Sequence, residues 1–468
     1  MTLDTEELPA EPITAEPELL PAPTARVAYL AAMSPARAAL ELAWPGIVEQ
    51  LVRAASQAAV IAFIGHLGAV QLAAAGAALQ FTFLLFPVFM ALSIGTVALV
   101  SRRLGEGRPE DAADVVRQSL MLGALLGIAT GLAFAVFARP LLLALGAAPD
   151  VADAGAPYLA IVGGLNAFQT VWTIGTAALR AAGDTRTPML LSIGSAALAV
   201  PLAYVAVVVL DGGLVGAGLA FVPVNVLFCA ITIAILWRGR AGLSVAGGPW
   251  RLRPAVVRQI ADISVPSAAE SFLFSLGLMA LAGVVLRFGT EAFAAHQLVL
   301  QLESLSFLPC VGFAAAASAL VGQSLGLRDP ARATRVGWAA VRMGALWTSA
   351  VGLVLALFPA ASLGLFTSDP GVVAAGIGST VIIGLAQPAQ AVIFTLGGAL
   401  RGAGDTRYTL KVTTLNWVVV RLPLAVLLSM PFGLGLAGVW LAIAADYHVR
   451  GALFARRFAS GAWQRLRV

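Results

Sequence analysis

Five ionisable side chains stand inside long apolar stretches of this 468-residue sequence: Glu49, Arg53, Glu270, Glu303 and Arg421. A charge in apolar surroundings is costly, and it marks either an ion or substrate pathway or a buried partner. Glu303 falls about eleven residues into one stretch and Arg421 about twelve into another, which places both near mid-depth of a spanning helix. Two readings follow. The pair is a structural ion pair, or Glu303 exchanges a proton or binds a cation while Arg421 tunes its affinity. Burial disfavours an ionised carboxyl and a neighbouring arginine favours it, so the sequence leaves the balance open. Glu49 and Glu270 each follow a proline (Pro45, Pro266) by four residues. At that position, one turn into a helix, the helix dipole alone favours an anion. Arg53, four residues after Glu49, can pair with it along one helix face. Glu270 lacks such a neighbour, which favours a place in the pathway. Asp446 is near the end of the last stretch and is expected at an interface.

Neutral polar residues in the same stretches extend the candidate cavity: Gln57, Gln80, Asn166, Gln169, Gln297, Gln301 and Asn416, with Asn225, Gln387 and Gln390 beside them. Such groups either hydrogen-bond between helices or line a path. Trp172, Phe272, Phe274 and Trp417 are able to face a flat cation, or else pack in the core. Enzyme chemistry is not supported. His66, His296 and His448 are far apart, and Cys229 and Cys310 are far from each other, so no metal site is expected. There is no phosphate-cradling lysine loop and no nucleophile elbow.

The elements that must carry these residues follow from composition. The chain is 59% hydrophobic and 11% charged, with mean hydropathy +0.90, whereas soluble domains carry about 25% charged residues. Apolar length and breakers define an all-α polytopic membrane protein of twelve spans. They run roughly over 43–66, 72–101, 117–138, 155–178, 187–210, 215–237, 263–287, 293–322, 337–358, 376–399, 409–430 and 434–454. Basic residues gather in the tails and in every second connection, and the opposite connections hold only Arg139 and Arg287. By the positive-inside rule both termini are cytoplasmic. The net charge of +5 is thus accounted for without nucleic acid. Lys411 is the one lysine, in an Ala/Gly/Arg-rich background that reads as bacterial, so a bacterial inner membrane is expected. Residues 1–40 alternate Glu and Pro and read as a disordered acidic cytoplasmic tail without the features of a signal peptide.

Shifted by 221 residues, the sequence overlays on itself: Pro45 on Pro266, Glu49 on Glu270, Gly68 on Gly289, Gln80 on Gln301, Gly105 on Gly326. The segment Leu179–Arg186 falls on Leu400–Arg407, both reading LR(A/G)AGDTR. Each copy holds six spans, so the repeats are parallel, a layout that places a substrate site between halves that rock. The divisions are an N-terminal lobe at 41–237, a linker at 238–261, a C-terminal lobe at 262–455 and a basic tail at 456–468. In the repeated loop, Gly183 and Gly404 suit a left-handed helix end. Asp184 and Asp405 suit the cap of the next helix, and Arg180 and Arg401 the last carbonyls. The alternative role for these loops is a cytoplasmic gate.

Pro45–Gln50, Gly65–Gly68, Gly95–Gly105, Ala294–Gln297, Glu303–Pro309, Leu320–Gly326 and the paired loops together resemble the multidrug and toxic compound extrusion family over about 45–455. The resemblance implies a V-shaped transporter of two six-helix lobes that exports organic, often cationic, compounds in exchange for protons or sodium ions. It implies no cofactor, a small organic substrate, lipid as surroundings and a monomer. Many members carry an acidic residue eleven positions after the residue matching Glu49. Here that position is Val60, which puts coupling through the N-terminal lobe in doubt. The alternative is a flippase for a lipid-linked or other amphiphilic metabolite, which would favour unpaired arginines in the cavity for phosphate.

Overall fold

A computed structural model describes residues 22–466, apart from the side chains of Phe83 and Phe86. Sixteen α-helices follow in order: α1 Ala25–Ala32, α2 Pro35–Gly65, α3 Ala69–Gly105, α4 Pro109–Ala144, α5 Pro149–Gly164, α6 Asn166–Ala181, α7 Arg186–Tyr204, α8 Gly213–Arg238, α9 Pro254–Val285, α10 Thr290–Gly326, α11 Pro330–Leu357, α12 Pro359–Gly364, α13 Pro370–Gly402, α14 Thr406–Leu415, α15 Leu422–Ser429 and α16 Gly435–Ala459. Among the described residues, ten continuous helical segments are long and apolar enough to cross a membrane. The other two of the twelve spans are readily explained. The fourth is divided into α5 and α6 at Leu165, and α16 carries Asp446, Arg450, Arg456 and Arg457. Helices dominate because hydrocarbon offers no partner for a free peptide group. Their outer faces are apolar, as at Val136, Met279 and Leu346.

The repeat is visible in the elements themselves. Helices α3 and α10 have 37 residues each, begin 221 residues apart and are each preceded by a glycine. Both repeated loops close the same way. Gly183 and Gly404 adopt φ +85° and +86°, a conformation costly for any residue with a Cβ. The N–H of Asp184 then reaches Leu179 O at 2.9 Å, and that of Asp405 reaches Leu400 O at 2.8 Å. This is the paired-bond helix ending that satisfies otherwise orphaned carbonyls.

Two lobes result, α2–α8 and α9–α16, and the helices at their boundary cross over. Helix α2 packs on α10, with Gly46 beside Gly312, and α3 packs on α9, with Gly95 beside Ile260 and Ser264. At one end the lobes meet backbone to backbone. A Cβ on Gly105 would collide with Gln323 O and stand 2.9 Å from Gly326 Cα, and one on Gly326 would collide with Arg102 O. Gln323 Nε2 also donates to Ala181 O of the other lobe at 2.7 Å. We call this the closed end. Both described termini lie there, since Thr24 packs on Gly242 and Leu466 O accepts from Arg102 at 2.8 Å.

Three boundaries differ from the sequence reading. Residues 1–21 lie outside the described residues, but 25–32 and 35–40 are helical rather than part of a disordered tail. Val27 enters the N-terminal lobe's core and Leu30 the C-terminal lobe's, so α1 straddles both at the closed end. Arg332 of α11 secures it, donating to Leu30 O at 2.6 Å and Met33 O at 3.2 Å. The irregular part of the linker is confined to 239–253, where Asp114 and Gln118 of α4 bind Arg253, and Gln118 also binds Arg251 O. The basic tail is held by Trp463, fully buried and stacked on Phe458 at 4.5 Å.

Candidate functional site

The structure distributes the candidate residues over three places. The first is a frame at the closed end, in which one arginine–glutamate pair recurs in each lobe. Arg180 NH1 lies 3.1 Å from Glu49 Oε2, and Arg401 NH1 lies 3.4 Å from Glu270 Oε1. These arginines therefore pair with a glutamate one turn past the internal proline of α2 or α9, not with helix-end carbonyls. Because α2 starts at Pro35 and α9 at Pro254, neither glutamate stands at a helix N-terminus and the expected dipole site is not formed. Each pair ties the repeated loop to that helix. Arg53 adds a second contact to Glu49 at 3.2 Å. Glu270 is not short of partners, because the hydroxyls of Thr409 and Thr413 donate to it at 2.8 and 3.0 Å. Periodicity along one helix could not reveal donors from another.

Asp184 caps α7 as expected, accepting from Thr187 N at 3.0 Å and Thr187 Oγ1 at 2.7 Å, and also binds Arg240. Burial raises this carboxyl, but the Thr187 bonds and the Arg240 guanidinium outweigh burial and hold it below the usual carboxylate range. Asp405 makes no such cap. Its carboxylate is drawn to Arg457 at 2.8 Å, so the symmetry of sequence is not one of hydrogen bonds.

The second place is an exposed polar face. Gln80 of α3 and its repeat partner Gln301 are exposed, as is Gln297 one turn from Gln301. Gln57 and Arg53 on α2 are exposed too. Asn166 and Gln169 sit deeper, inside the N-terminal lobe, where Asn166 Nδ2 donates to Thr130 at 3.2 Å. Val60 is a packed core residue of that lobe.

The third place is the interior of the C-terminal lobe. Glu303 is buried on α10 and faces away from Gln301, since two residues turn a helix by about 200°. Gln390 of α13 donates to Glu303 Oε1 at 2.6 Å, and the Tyr447 hydroxyl of α16 donates to the same oxygen. The other oxygen, Oε2, accepts no bond and is not among the fully buried orphan atoms. The ion pair with Arg421, one of the two readings of the sequence, is not made. Instead Asp446 Oδ2 lies 3.4 Å from Arg421 NH1 and 2.9 Å from Arg450 NH2. Asp446 is thus fully buried and not interfacial. Asn416, expected in the cavity, is buried beneath it, donating to both Asp446 O at 2.9 Å and Asp446 Oδ1. Arg421 also stacks over Trp417 at 4.2 Å, and Trp417 is closed off on another side by Phe274.

A turn of π-helix over Asn416–Arg421, ahead of Pro423, places this row of side chains. Proline lacks the N–H that would continue the ladder, and the wider turn relieves the mismatch while turning Arg421 inward. Tyr447 and Arg450 were not given roles from sequence, Gln390 was placed only among the polar residues of the candidate cavity and Asp446 at an interface, although Asp446 and Arg450 stand four apart on one helix. Several buried polar atoms here have no protein partner, among them Gln390 Oε1, Asn416 Oδ1 and Arg450 Nε.

The MatE family model matches residues 45–205 and again residues 266–427, one copy per lobe. The chain belongs to the MatE family. Its relatives include a probable multidrug resistance protein NorM of Thermotoga maritima, 28% identical over 440 residues covering 92% of this chain and 93% of that protein. A protein of the same name from Bradyrhizobium diazoefficiens is 30% identical over 434 residues, covering 90% and 92%. Among solved structures, an outward-facing multidrug resistance MATE family transporter of the MOP superfamily superposes with TM-score 0.87 at 20% identity, covering 94% of this chain and 99% of that one. A MOP superfamily transporter from Pyrococcus furiosus gives 0.86 at 20% identity with the same coverage. The twelve-span, two-repeat layout is the family's fold, and the chain is a multi-pass membrane transporter.

Proposed function

We propose that the protein exports organic cations in exchange for protons, and that Glu303 is where the two compete. The carrying observation is that Glu303 is a buried carboxyl held on one oxygen by two neutral donors, with no cation bound to it directly. A carboxylate so placed in a low-dielectric interior needs a positive partner. A proton, a sodium ion or a cationic substrate each meets that need, and occupancy by one excludes the others. Exchange follows if the lobes switch only when the site is filled. The arginine pattern supports cytoplasmic termini, and with them a cytoplasmic closed end and glutamine faces that open outward. The names of the relatives, multidrug resistance proteins, support drug-like substrates. A lipid flippase is less well supported, because Arg421, Arg450 and Arg53 all have acidic partners and none is free for phosphate.

The test is uptake of a fluorescent organic cation into everted vesicles, driven by a proton gradient in sodium-free buffer. Uptake is expected to collapse with an uncoupler and to be lost in Glu303→Gln at equal membrane abundance. Full transport by that variant would refute the assignment of Glu303. Absence of uptake under both proton and sodium gradients would refute cation export.

A further inference from the structure

Arg421 and Glu303 sit on either side of a single tyrosine. The Arg421 Cζ is 5.9 Å from the centre of the Tyr447 ring, whose hydroxyl binds Glu303, and Arg450 Cζ is also 5.9 Å from that centre. Two guanidinium groups thus stand beside the tyrosine that binds this carboxylate, yet neither pairs with it. What holds them is Asp446, whose Oδ2 takes both while Asn416 pins its other oxygen.

We propose that Asp446 is a positioning residue: it holds Arg421 and Arg450 away from Glu303, so that Glu303 has no permanent counter-ion and stays available for exchange. This inference rests on the reading of Glu303 given above. An unpaired arginine in this interior would seek the nearest carboxylate, and an arginine locked on Glu303 would exclude proton and substrate alike. Two carboxylates and two arginines balance here, but both positive charges are committed to one of the two acids.

Comparison of the lobes supports a functional origin for the arrangement. The frame at the closed end recurs in both, as Glu49 with Arg180 and as Glu270 with Arg401. The interior cluster does not. The positions 221 residues before Glu303, Arg421, Asp446, Tyr447 and Arg450 are Thr82, Val200, Asn225, Val226 and Cys229, all neutral. Six-helix packing is achieved in the N-terminal lobe without any of these charges, so they are not a requirement of the fold.

The experiment compares Asp446→Asn alone with Asp446→Asn combined with Arg421→Gln and Arg450→Gln, in the full-length protein. Two readouts are taken: proton-driven cation uptake, and labelling of Glu303 by a hydrophobic carbodiimide, which reacts with a carboxyl not engaged by a cation. The single variant is expected to lose uptake by at least about tenfold and to lose the label, because a freed arginine occupies Glu303. The triple variant is expected to regain the label and most of the uptake. Wild-type uptake and labelling in Asp446→Asn would overturn the proposal. So would a triple variant that takes the label but does not transport, since Asp446 would then act on proton or substrate directly. Labelling reports on Glu303 whether or not the variant transports, and the Glu303→Gln result separately decides the reading on which the proposal rests.

Discussion

Gly105→Ala offers a direct test of how tightly the closed end is built. The added Cβ would meet backbone on α10, the Gln323 carbonyl and Gly326 Cα, and no side-chain rotation can clear a backbone atom. Overpacking of this kind costs about 1–3 kcal/mol. Alanine also favours a helix over glycine by about 0.5–1 kcal/mol, but that gain is the same however the lobes are packed and cancels between conformations. With 1.4 kcal/mol per factor of ten, preference for the closed arrangement falls by about 5- to 150-fold. Spin labels at positions 108 and 328, exposed beyond the ends of α3 and α10, read the separation directly once the two buried cysteines are replaced. The distance distribution is expected to gain a longer component with little loss of thermal stability, and Gly326→Ala is expected to do the same. Gly76→Ala, with nothing within 4 Å of the new atom, is the matched control. An unchanged distribution together with a lowered Tm would refute the reasoning, because the clash would then be absorbed within a lobe and not between lobes.

Arg401→Met leaves the Glu270 carboxylate with only its two threonine donors, and a loss of about 1–3 kcal/mol in unfolding stability is expected, partly recovered by adding Glu270→Gln. Leu30→Asp removes the apolar anchor of α1 from the C-terminal lobe; since burying a leucine is worth about 1.5–3 kcal/mol, trypsin cleavage after Arg26 is expected to rise by about tenfold or more. The Asp184 carboxyl is held below its ordinary value in the folded state, so its contribution is present above pH 3.8 and is lost as pH falls through the folded value. Limited proteolysis of the 239–253 segment is expected to accelerate in that acid range, and Asp184→Asn is expected to be cut readily already at neutral pH.

Much of the architecture was legible because its physical causes are local. Hydrocarbon thickness sets the length of an apolar run, so spans such as α4, α8 and α13 follow from composition alone. The 221-residue repeat follows from identity of spacing, and it correctly placed two 37-residue helices and two left-handed glycines. The fourth span is broken at Leu165 where its repeat partner α13 is continuous, a difference that apolar length does not encode. Residues 25–40 were misread for a related reason. The Glu/Pro composition of residues 1–40 suits an unstructured tail, and only the presence of two lobes side by side gives Val27 and Leu30 a core to enter.

The candidate site divides along the same line. Sequence by itself determined that Glu303 and Arg421 lie well inside long apolar helical stretches and that Glu49 and Arg53 share a helix face, while it put Asp446 at an interface. Each of these depends on position along one helix. Only the tertiary structure decided which charge meets which. Arg421 binds Asp446 and not Glu303, Arg180 and Arg401 reach glutamates on other helices, and Tyr447 with Gln390 brings neutral donors to Glu303. The physical reason is that a buried charge takes its partner from a neighbouring helix, and the rotation of one helix against another is set by the packing of the whole lobe.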